Sequence, residues 1–532
     1  MAAINVPALQ KMSEPQPARP IVWSIAASDS GGGAGLQADN LTIHDLGAHP
    51  CNIVTAITAQ NSLEVQDIAA TPTDMLTKQL NCLLSDMPPQ AIKIGVLANA
   101  TQMRCLSHWL SDIFAVYQQQ HGITVPIIWD PVMFATTGQA LSEPTDKPQI
   151  KDYLQLAKHV SLLTPNAKEF MLLLHTTTNP ENPEQWLLWL EILAHSLQSN
   201  VLLTGGDQQQ ANATDWLMVQ KVAHTSVQHQ QQIVGFSSAT INTPHNHGTG
   251  CTFSSAIATT MAFGYPLLDA ICIAKAYVNQ GLSAAYGLGH GAGVLARQGW
   301  PETLHYFPNI LLPKYPNVPS SKVLQFTPVS TPLQVYPVTQ SLQVLQQVLE
   351  AGARTVQLRI KHHANPEQLA QQIQQAVALG KQYQAQVFIN DHWQLAIEHG
   401  AFGVHLGQED MLEADLAQIA KHGLALGLSS HGYFELLIAQ QLSPSYLAIG
   451  HIFPTPTKNM PSQAQGLLKL KRYCNLLKDK MPLVAIGGIS ATNLKQVHAC
   501  GVDTVAIVRA VEQTPEPALS WQQLQQQWEA LG

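Results

Sequence analysis

Gln357, Arg359 and Lys361 alternate with Leu358 and Ile360 in one short run, and Asn390-Asp391 and His405-Leu406-Gly407-Gln408-Glu409-Asp410 follow it. Extended backbone sends every second side chain the same way, so one amide and two cations share a face. Such cations can hold phosphate oxygens. The carboxylates of Asp391 and Asp410 are hard donors suited to Mg²⁺, which uses few protein carboxylates and completes its shell with phosphate oxygens and water. Together these residues read as a site for Mg²⁺ and pyrophosphate. Another cation, Lys458, comes in Pro454-Thr455-Pro456-Thr457-Lys458, and Gly487-Gly488 offers backbone amides that a phosphate can approach closely. Each piece alone also has a plain reading, as a solvated strand-end charge or an Asn-Asp turn.

A second set of residues lies far upstream. Residues 28–39 read Ser-Asp-Ser-Gly-Gly-Gly-Ala-Gly-Leu-Gln-Ala-Asp, which lets backbone approach a small ligand or simply makes a turn. Asn246-His247-Gly248-Thr249-Gly250-Cys251-Thr252 precedes a helical stretch at 253–263. Amides at a helix N-terminus form an anion site, which predicts a lowered pKa for Cys251; a small buried residue is the other reading of that cysteine.

These residues need elements to hold them. The three C-terminal clusters stand behind apolar runs at 355–358, 386–389 and 402–406. Eight strands are expected in all, at 333–338, 355–358, 386–389, 403–406, 425–429, 446–450, 483–486 and 504–508, separated by amphipathic stretches such as 366–384. That rhythm predicts a (β/α)₈ barrel, whose chemistry sits at the C-terminal ends of its strands. Upstream, strands at 21–26, 92–95, 126–130, 161–164 and 201–204 and helices at 106–120 and 251–263 predict an open α/β sheet flanked by helices. Pro313, Pro316, Pro319, Pro328 and Pro332, with Ser320-Ser321 between, predict a stiff linker. The expected division is 20–307, a linker at 308–330, and 331–532. No motif is shared by the two halves, so the chain reads as a fusion.

A chain of 532 residues exceeds one core. With 45% hydrophobic and 12% charged residues it fits a well-buried α/β enzyme, and a net charge of −8 argues against a broad nucleic-acid surface. Seven scattered cysteines without metal spacing suit free thiols in a reducing compartment. No apolar run reaches membrane length, and the Pro-rich first twenty residues lack a signal pattern. A cytoplasmic enzyme acting on small molecules is expected, with no nucleic-acid or membrane partner; homo-oligomerisation is left open.

With these motifs in place, residues 331–532 resemble thiamine-phosphate synthase, through 357–361, Phe388-Ile389-Asn390-Asp391, 405–410, Ser429, 450–458 and Ala485-Ile486-Gly487-Gly488-Ile489. The resemblance implies a TIM barrel that joins hydroxymethylpyrimidine diphosphate to hydroxyethylthiazole phosphate and releases pyrophosphate. It implies Gln357 at the pyrimidine, Arg359, Lys361, Asn390, Ser429 and Lys458 on the diphosphate, and Asp391 and Asp410 on Mg²⁺. Thr455, Thr457, Gly487, Val508 and Arg509 would meet the thiazole phosphate. Arg509 stands where the family usually has serine, and Gln340 where it usually has an acid.

The first half resembles the hydroxymethylpyrimidine and phosphomethylpyrimidine kinase of the ribokinase-like fold, an α/β sandwich, from about Ile21 to Gly291. The matching residues include Gln37-Ala38-Asp39, Thr58-Ala59-Gln60-Asn61, Lys93-Ile94-Gly95-Val96-Leu97, Trp129-Asp130-Pro131, Thr164-Pro165-Asn166-Ala167-Lys168-Glu169 and 247–251. That resemblance implies an anion hole at Gly248, Thr249 and Gly250 with Cys251 as base. Gln60 and Val96 would hold the pyrimidine, and Asp130, Asn166 and Glu169 would lie on the Mg-ATP side. Ala27 and Gly31 replace a glycine and a serine. The pair implies a bifunctional enzyme in which one half makes the other's substrate. A pyridoxal-type kinase and a pyrimidine-sensing half without turnover are the alternatives for the first domain.

Overall fold

The computed structural model describes residues 19–135, 138–139, 141–143, 145–206, 211–220, 232–315, 324–330, 333–361, 365–454 and 463–532. They fall into two compact units: one within 1–160, 245–265 and 286–299, the other within 161–244, 266–285 and 300–532.

The first unit carries β1 (Ile21–Asp29), β2 (His49–Gln60), β3 (Val65–Ala70), β4 (Ala91–Ile94) and β5 (Ile127–Trp129), ordered β5-β4-β1-β2-β3. All neighbours are parallel except β2 and β3. Central β1 and β4 are nearly continuous buried runs, as parallel strands covered on both faces must be. The helix Thr249–Ala262 packs on β1, β4 and β5. Its sequence is rich in Ala, Ser and Thr, and its middle, Thr252 to Thr260, is continuously buried. That burial is tolerable because Thr259 and Thr260 return their hydroxyls to the carbonyls of Ser255 and Ala256, at 2.7 and 2.8 Å.

The second unit holds β6 (Leu162–Leu163), β7 (Asn200–Leu203), β8 (Asn212–Val219), β9 (Gln232–Ala239) and β10 (Asn309–Leu311), ordered β10-β9-β8-β7-β6. It also holds a closed parallel barrel of β11 (Tyr336–Thr339), β12 (Thr355–Leu358), β13 (Gln386–Asn390), β14 (Gly403–Leu406), β15 (Ala425–Ser430), β16 (Tyr446–Ile449), β17 (Leu483–Ile486) and β18 (Thr504–Ile507). Phe388, Tyr336 and Tyr446 fill the barrel with Val338, Ala448, Val484 and Ala506. Glycines make the room: a Cβ on Gly427 would lie 2.3 Å from the Tyr446 ring, and one on Gly403 2.6 Å from Phe388.

The stretch expected as a linker is not extended throughout. It opens with β10, which pairs antiparallel with β9. Val329 lies in the barrel core and Thr327 donates its hydroxyl to Gly423 O at 2.6 Å; residues 316–323 and 331–332 lie outside the described set.

Candidate active sites

In the first unit the loop at 247–251 becomes a cradle by close backbone approach. Gly248 is left-handed (φ +78°), and a Cβ there would stand 1.9 Å from Gly33 O, so only glycine fits both demands. Gly33 in turn sits under His247, whose Nε2 is 3.2 Å from Asp29 Oδ2. Asp29 ties the glycine loop together by accepting from the amides of Gly31, Gly33 and Ala34 at 2.8, 3.0 and 2.8 Å. Burial opposes ionisation of Asp29, but the His247 bond and these amides outweigh it and hold the carboxyl below its usual range.

Beneath the cradle lies a buried charge cluster. Lys93 Nζ bonds both Asp39 oxygens, at 2.9 and 2.8 Å, with both side chains fully enclosed. Ser24 and Ser255 complete Asp39, at 2.5 and 2.7 Å. Asp130, at the end of β5, accepts from Ser254 at 3.4 Å and lies 3.3 Å from where a Gly250 Cβ would be. Burial and Asp39 push its carboxyl up to about 6 against the pull of Lys93.

Cys251 corrects the expectation drawn from its helix position. Its thiol is pushed up to about 12, first by burial and then by Asp39 and Asp130, although Lys93 and the Gly35 amide pull the other way. Desolvation and the two carboxylates together outweigh the Lys93 charge and that amide. Val96 and Ala27 pack in one small apolar cluster with Ala56, Ala98 and Leu141. Gln60, at the end of β2, is half-buried and exchanges backbone bonds with the Ser30 hydroxyl at 2.8 and 2.7 Å. Asn166 and Glu169 belong to the second unit, where each side chain accepts the other's amide at 3.0 Å as a capping box for the helix Ala167–Leu173.

In the barrel, all the described candidates lie at the C-terminal ends of the strands or in the turns that follow. Gln357 and Asn390 end neighbouring strands, are nearly buried and meet at 3.3 Å (Nε2 to Oδ1), while Asn390 Nδ2 is buried with no partner. Asp391 follows in a left-handed conformation (φ +64°) that non-glycine residues rarely adopt, with Lys361 Nζ 3.6 Å from its Oδ2. Burial and then the adjacent Asp410 raise the Asp391 carboxyl, while Lys361 and Arg359 oppose the rise. Asp410 reaches this point from the helical turn Gln408–Glu413 beyond β14 rather than from the strand end itself. No group of three or more His, Cys, Asp or Glu gathers as a metal cluster among the described residues. Two hard carboxylates facing a cationic rim suit Mg²⁺ bound jointly with an oxygen-rich anion.

Ser429 Oγ is 2.8 Å from His405 Nε2, and His405 Nδ1 is 2.8 Å from Tyr446 OH, itself 2.9 Å from Tyr336 OH. Burial, then Arg359 and Lys361, push His405 down to about 3, so its ring is neutral. Gly487 (φ +99°) has no room for a Cβ, which would meet His451 Cβ at 2.5 Å. Val508 and the half-buried Arg509 follow β18, at the start of the turn Arg509–Glu512. Thr455, Thr457 and Lys458 lie outside the described residues.

Sequence reasoning missed the Lys93–Asp39 pair, the Asp29–His247 contact and the Tyr336–Tyr446–His405 chain, whose partners are far apart in sequence. It also missed Glu512, which accepts from Thr339 Oγ1 and Gln340 N at 2.9 and 2.6 Å and brings a carboxylate to the first strand end, where Gln340 supplies none.

An α/β half whose glycine loop lies over buried acids, and a (β/α)₈ barrel with cations and carboxylates around its mouth, are the architecture of an α/β kinase joined to a barrel transferase, the class that the family matches give. Residues 29–296 match the phosphomethylpyrimidine kinase family and residues 329–511 the thiamine monophosphate synthase family. The chain is 50% identical over 191 residues to a thiamine-phosphate synthase of Pectobacterium atrosepticum, covering 36% of this chain and 89% of that one. A synthase of Serratia proteamaculans is 53% identical over 184 residues, 35% and 86% of the two chains. Among solved structures, a phosphomethylpyrimidine kinase of Clostridium difficile is 26% identical with a TM-score of 0.38, covering 49% of this chain and 98% of that one. The chain belongs to both families, and is a bifunctional enzyme of thiamine biosynthesis with a kinase domain and a thiamine-phosphate synthase domain. No helix among the described residues is long and apolar enough to cross a membrane.

Proposed function

We propose that residues 20–307 phosphorylate hydroxymethylpyrimidine and then its phosphate with ATP, and that residues 331–532 couple the diphosphate to hydroxyethylthiazole phosphate, in the cytoplasm. In the kinase, the amides at Gly248, Thr249 and Gly250 receive the transferred phosphoryl group, and Gln60 and Val96 hold the pyrimidine. Asp130, Asn166 and Glu169 face Mg-ATP, and Cys251 takes the substrate proton. Positioning and charge stabilisation carry most of such a reaction. The resting thiol is neutral and Lys93 favours its ionisation, so the thiolate is the form that can accept this proton.

In the barrel, Gln357 orients the pyrimidine, while Arg359, Lys361, Asn390, Ser429 and Lys458 hold the diphosphate and Asp391 and Asp410 hold Mg²⁺. Thr455, Thr457, Gly487, Val508 and Arg509 hold the thiazole phosphate. As the C–O bond to diphosphate breaks, the cations take up the developing negative charge, and the thiazole nitrogen captures the benzylic-type carbon. The observation that carries this reading is the buried, unpartnered Asn390 Nδ2 between Gln357 and the Asp391–Lys361 pair, a donor left ready for an anion.

The test is an end-point assay of the full chain with hydroxymethylpyrimidine, thiazole phosphate and Mg-ATP. Thiamine phosphate from the wild type is expected, with supplied pyrimidine diphosphate rescuing Cys251→Ala but not Asp391→Ala. No product without supplied diphosphate would remove the kinase assignment. In the same assay Arg509→Ser is expected to raise KM for thiazole phosphate about tenfold, as loss of a charge-assisted contact should.

A further inference from the structure

Asp269 sits in the first turn of the helix Leu267–Ser283, inside the kinase-family match, yet its carboxylate serves the barrel; both lie in the second unit. Oδ1 accepts from Phe434 N at 2.9 Å, and the Tyr433 amide also bonds this side chain. These are first-turn amides of the helix Tyr433–Leu442, whose own preceding residue, Gly432, has no side chain to cap them. A Cβ on Gly432 would stand 2.1 Å from Asp269 Oδ2. Its φ of 179° is ordinary extended backbone, so the approach of Asp269, not backbone conformation, requires glycine there.

The surrounding contact is well built. The Tyr433 ring stacks on Phe307 at 5.4 Å, and its hydroxyl accepts from Trp300 Nε1 at 3.2 Å. Gln441 pairs with both backbone groups of Ile310, at 2.5 and 3.0 Å. From Gly432 the chain leads straight back to Ser429, with the turn closed by Ser430 Oγ on Gly432 O at 3.0 Å and His431 N on Glu435 Oε2 at 2.7 Å. The Pectobacterium synthase is matched over 89% of its length by 191 residues of this chain, which leaves it no room for a kinase half.

We propose that Asp269 is a positioning residue for the synthase reaction. By capping the helix Tyr433–Leu442 from outside the barrel it fixes the loop 429–432, and with it the hydroxyl of Ser429. The proposal rests on the reading of Ser429 as a diphosphate ligand. The kinase-derived segment is therefore part of the machinery that sets the synthase's grip on its substrate.

The experiment measures synthase kinetics of the full chain with supplied pyrimidine diphosphate. Asp269→Ala is expected to raise KM for the diphosphate about tenfold, the scale of losing a supporting contact behind a ligand-binding residue. KM for thiazole phosphate and the kinase's kcat/KM should stay at wild-type values. Asp269→Asn keeps an acceptor and should behave as wild type, whereas Gly432→Ala should reproduce Asp269→Ala. In the double variant the alanine at 432 should add nothing, because its clash partner is gone. An unchanged KM in Asp269→Ala, or an equal fall of both activities, would overturn the proposal. Ser429→Ala separates the two layers: if it leaves KM for the diphosphate unchanged, the ligand reading fails and the proposal with it; if it raises KM while Asp269→Ala does not, only the role of Asp269 fails.

Discussion

Lys93 and Lys361 are both lysines beside an aspartate, but one is sealed and the other waits at a rim. Lys93 is fully enclosed and bonded to both oxygens of Asp39, with two serines completing the carboxylate. Lys361 is 41% exposed and stands 3.6 Å from an Asp391 that a second aspartate also crowds. In the kinase half the charges satisfy one another beneath a glycine loop. In the barrel they are left partly unsatisfied. A strong electrostatic site can thus be prepared either by buried compensation or by deliberate incompleteness.

The largest effect should come from breaking the sealed pair. Lys93→Met leaves Asp39 buried without its cation and should lower unfolding free energy by about 3–5 kcal/mol, read as a shift in the urea midpoint. Adding Asp39→Leu should recover much of the loss. A small change in the single variant would mean that the cluster is not internally compensated. At the rim, Asp391→Ala should cut coupling about 10²–10³-fold with little change in stability; a comparable stability loss would erase the contrast.

The neutral thiol gives a chemical test. Cys251 should be alkylated by iodoacetamide about a hundredfold more slowly at pH 8 than the exposed Cys82, because the thiolate is the reactive form. Peptide mass spectrometry against time measures this, and equal rates would contradict the burial argument. The smallest effect concerns Asp269, pushed up to about 6 by burial, then by Glu435, with Phe434 and Tyr433 amides and Lys469 opposing. Between 3.8 and about 6 the folded chain binds the proton that the unfolded chain has released. Stability should therefore fall as pH rises through that window, by at most about 1.4 kcal/mol per pH unit. Asp269→Asn should flatten that slope in urea titrations at pH 4.5 and 6.5.

The barrel was the more legible region for a physical reason. Its parallel strands are buried on both faces and show as short apolar runs, so seven of the expected strands coincide with observed ones to within a residue or so, and only the first starts later, at Tyr336. Strand β2 and the antiparallel strands β3, β8, β9 and β10 were not anticipated. β3 is largely exposed, β8 opens with Asn-Ala-Thr-Asp, and β10 falls among prolines. Candidate residues could be placed from sequence where polar side chains repeat at strand ends, as at Gln357, Arg359 and Asp391. They could not be where a partner comes from far along the chain: Asp39 and Lys93 are 54 positions apart, Asp29 and His247 218, and Asp269 and Phe434 165. The lowered thiol expected at Cys251 failed because sequence shows the helix start but not the burial of the thiol, nor the acids folded against it.

The short strand β10 also bears on how this chain can be divided. It covers the edge of β9, while the Gln441 amide occupies the outward backbone groups of Ile310. A protein ended at residue 307 would bare the backbone groups along Gly235–Ser237 that β10 pairs, an invitation to intermolecular strand pairing. Ending instead after Leu311 keeps that border shielded, so solubility of the severed first half turns on four residues that the sequence presents as spacer.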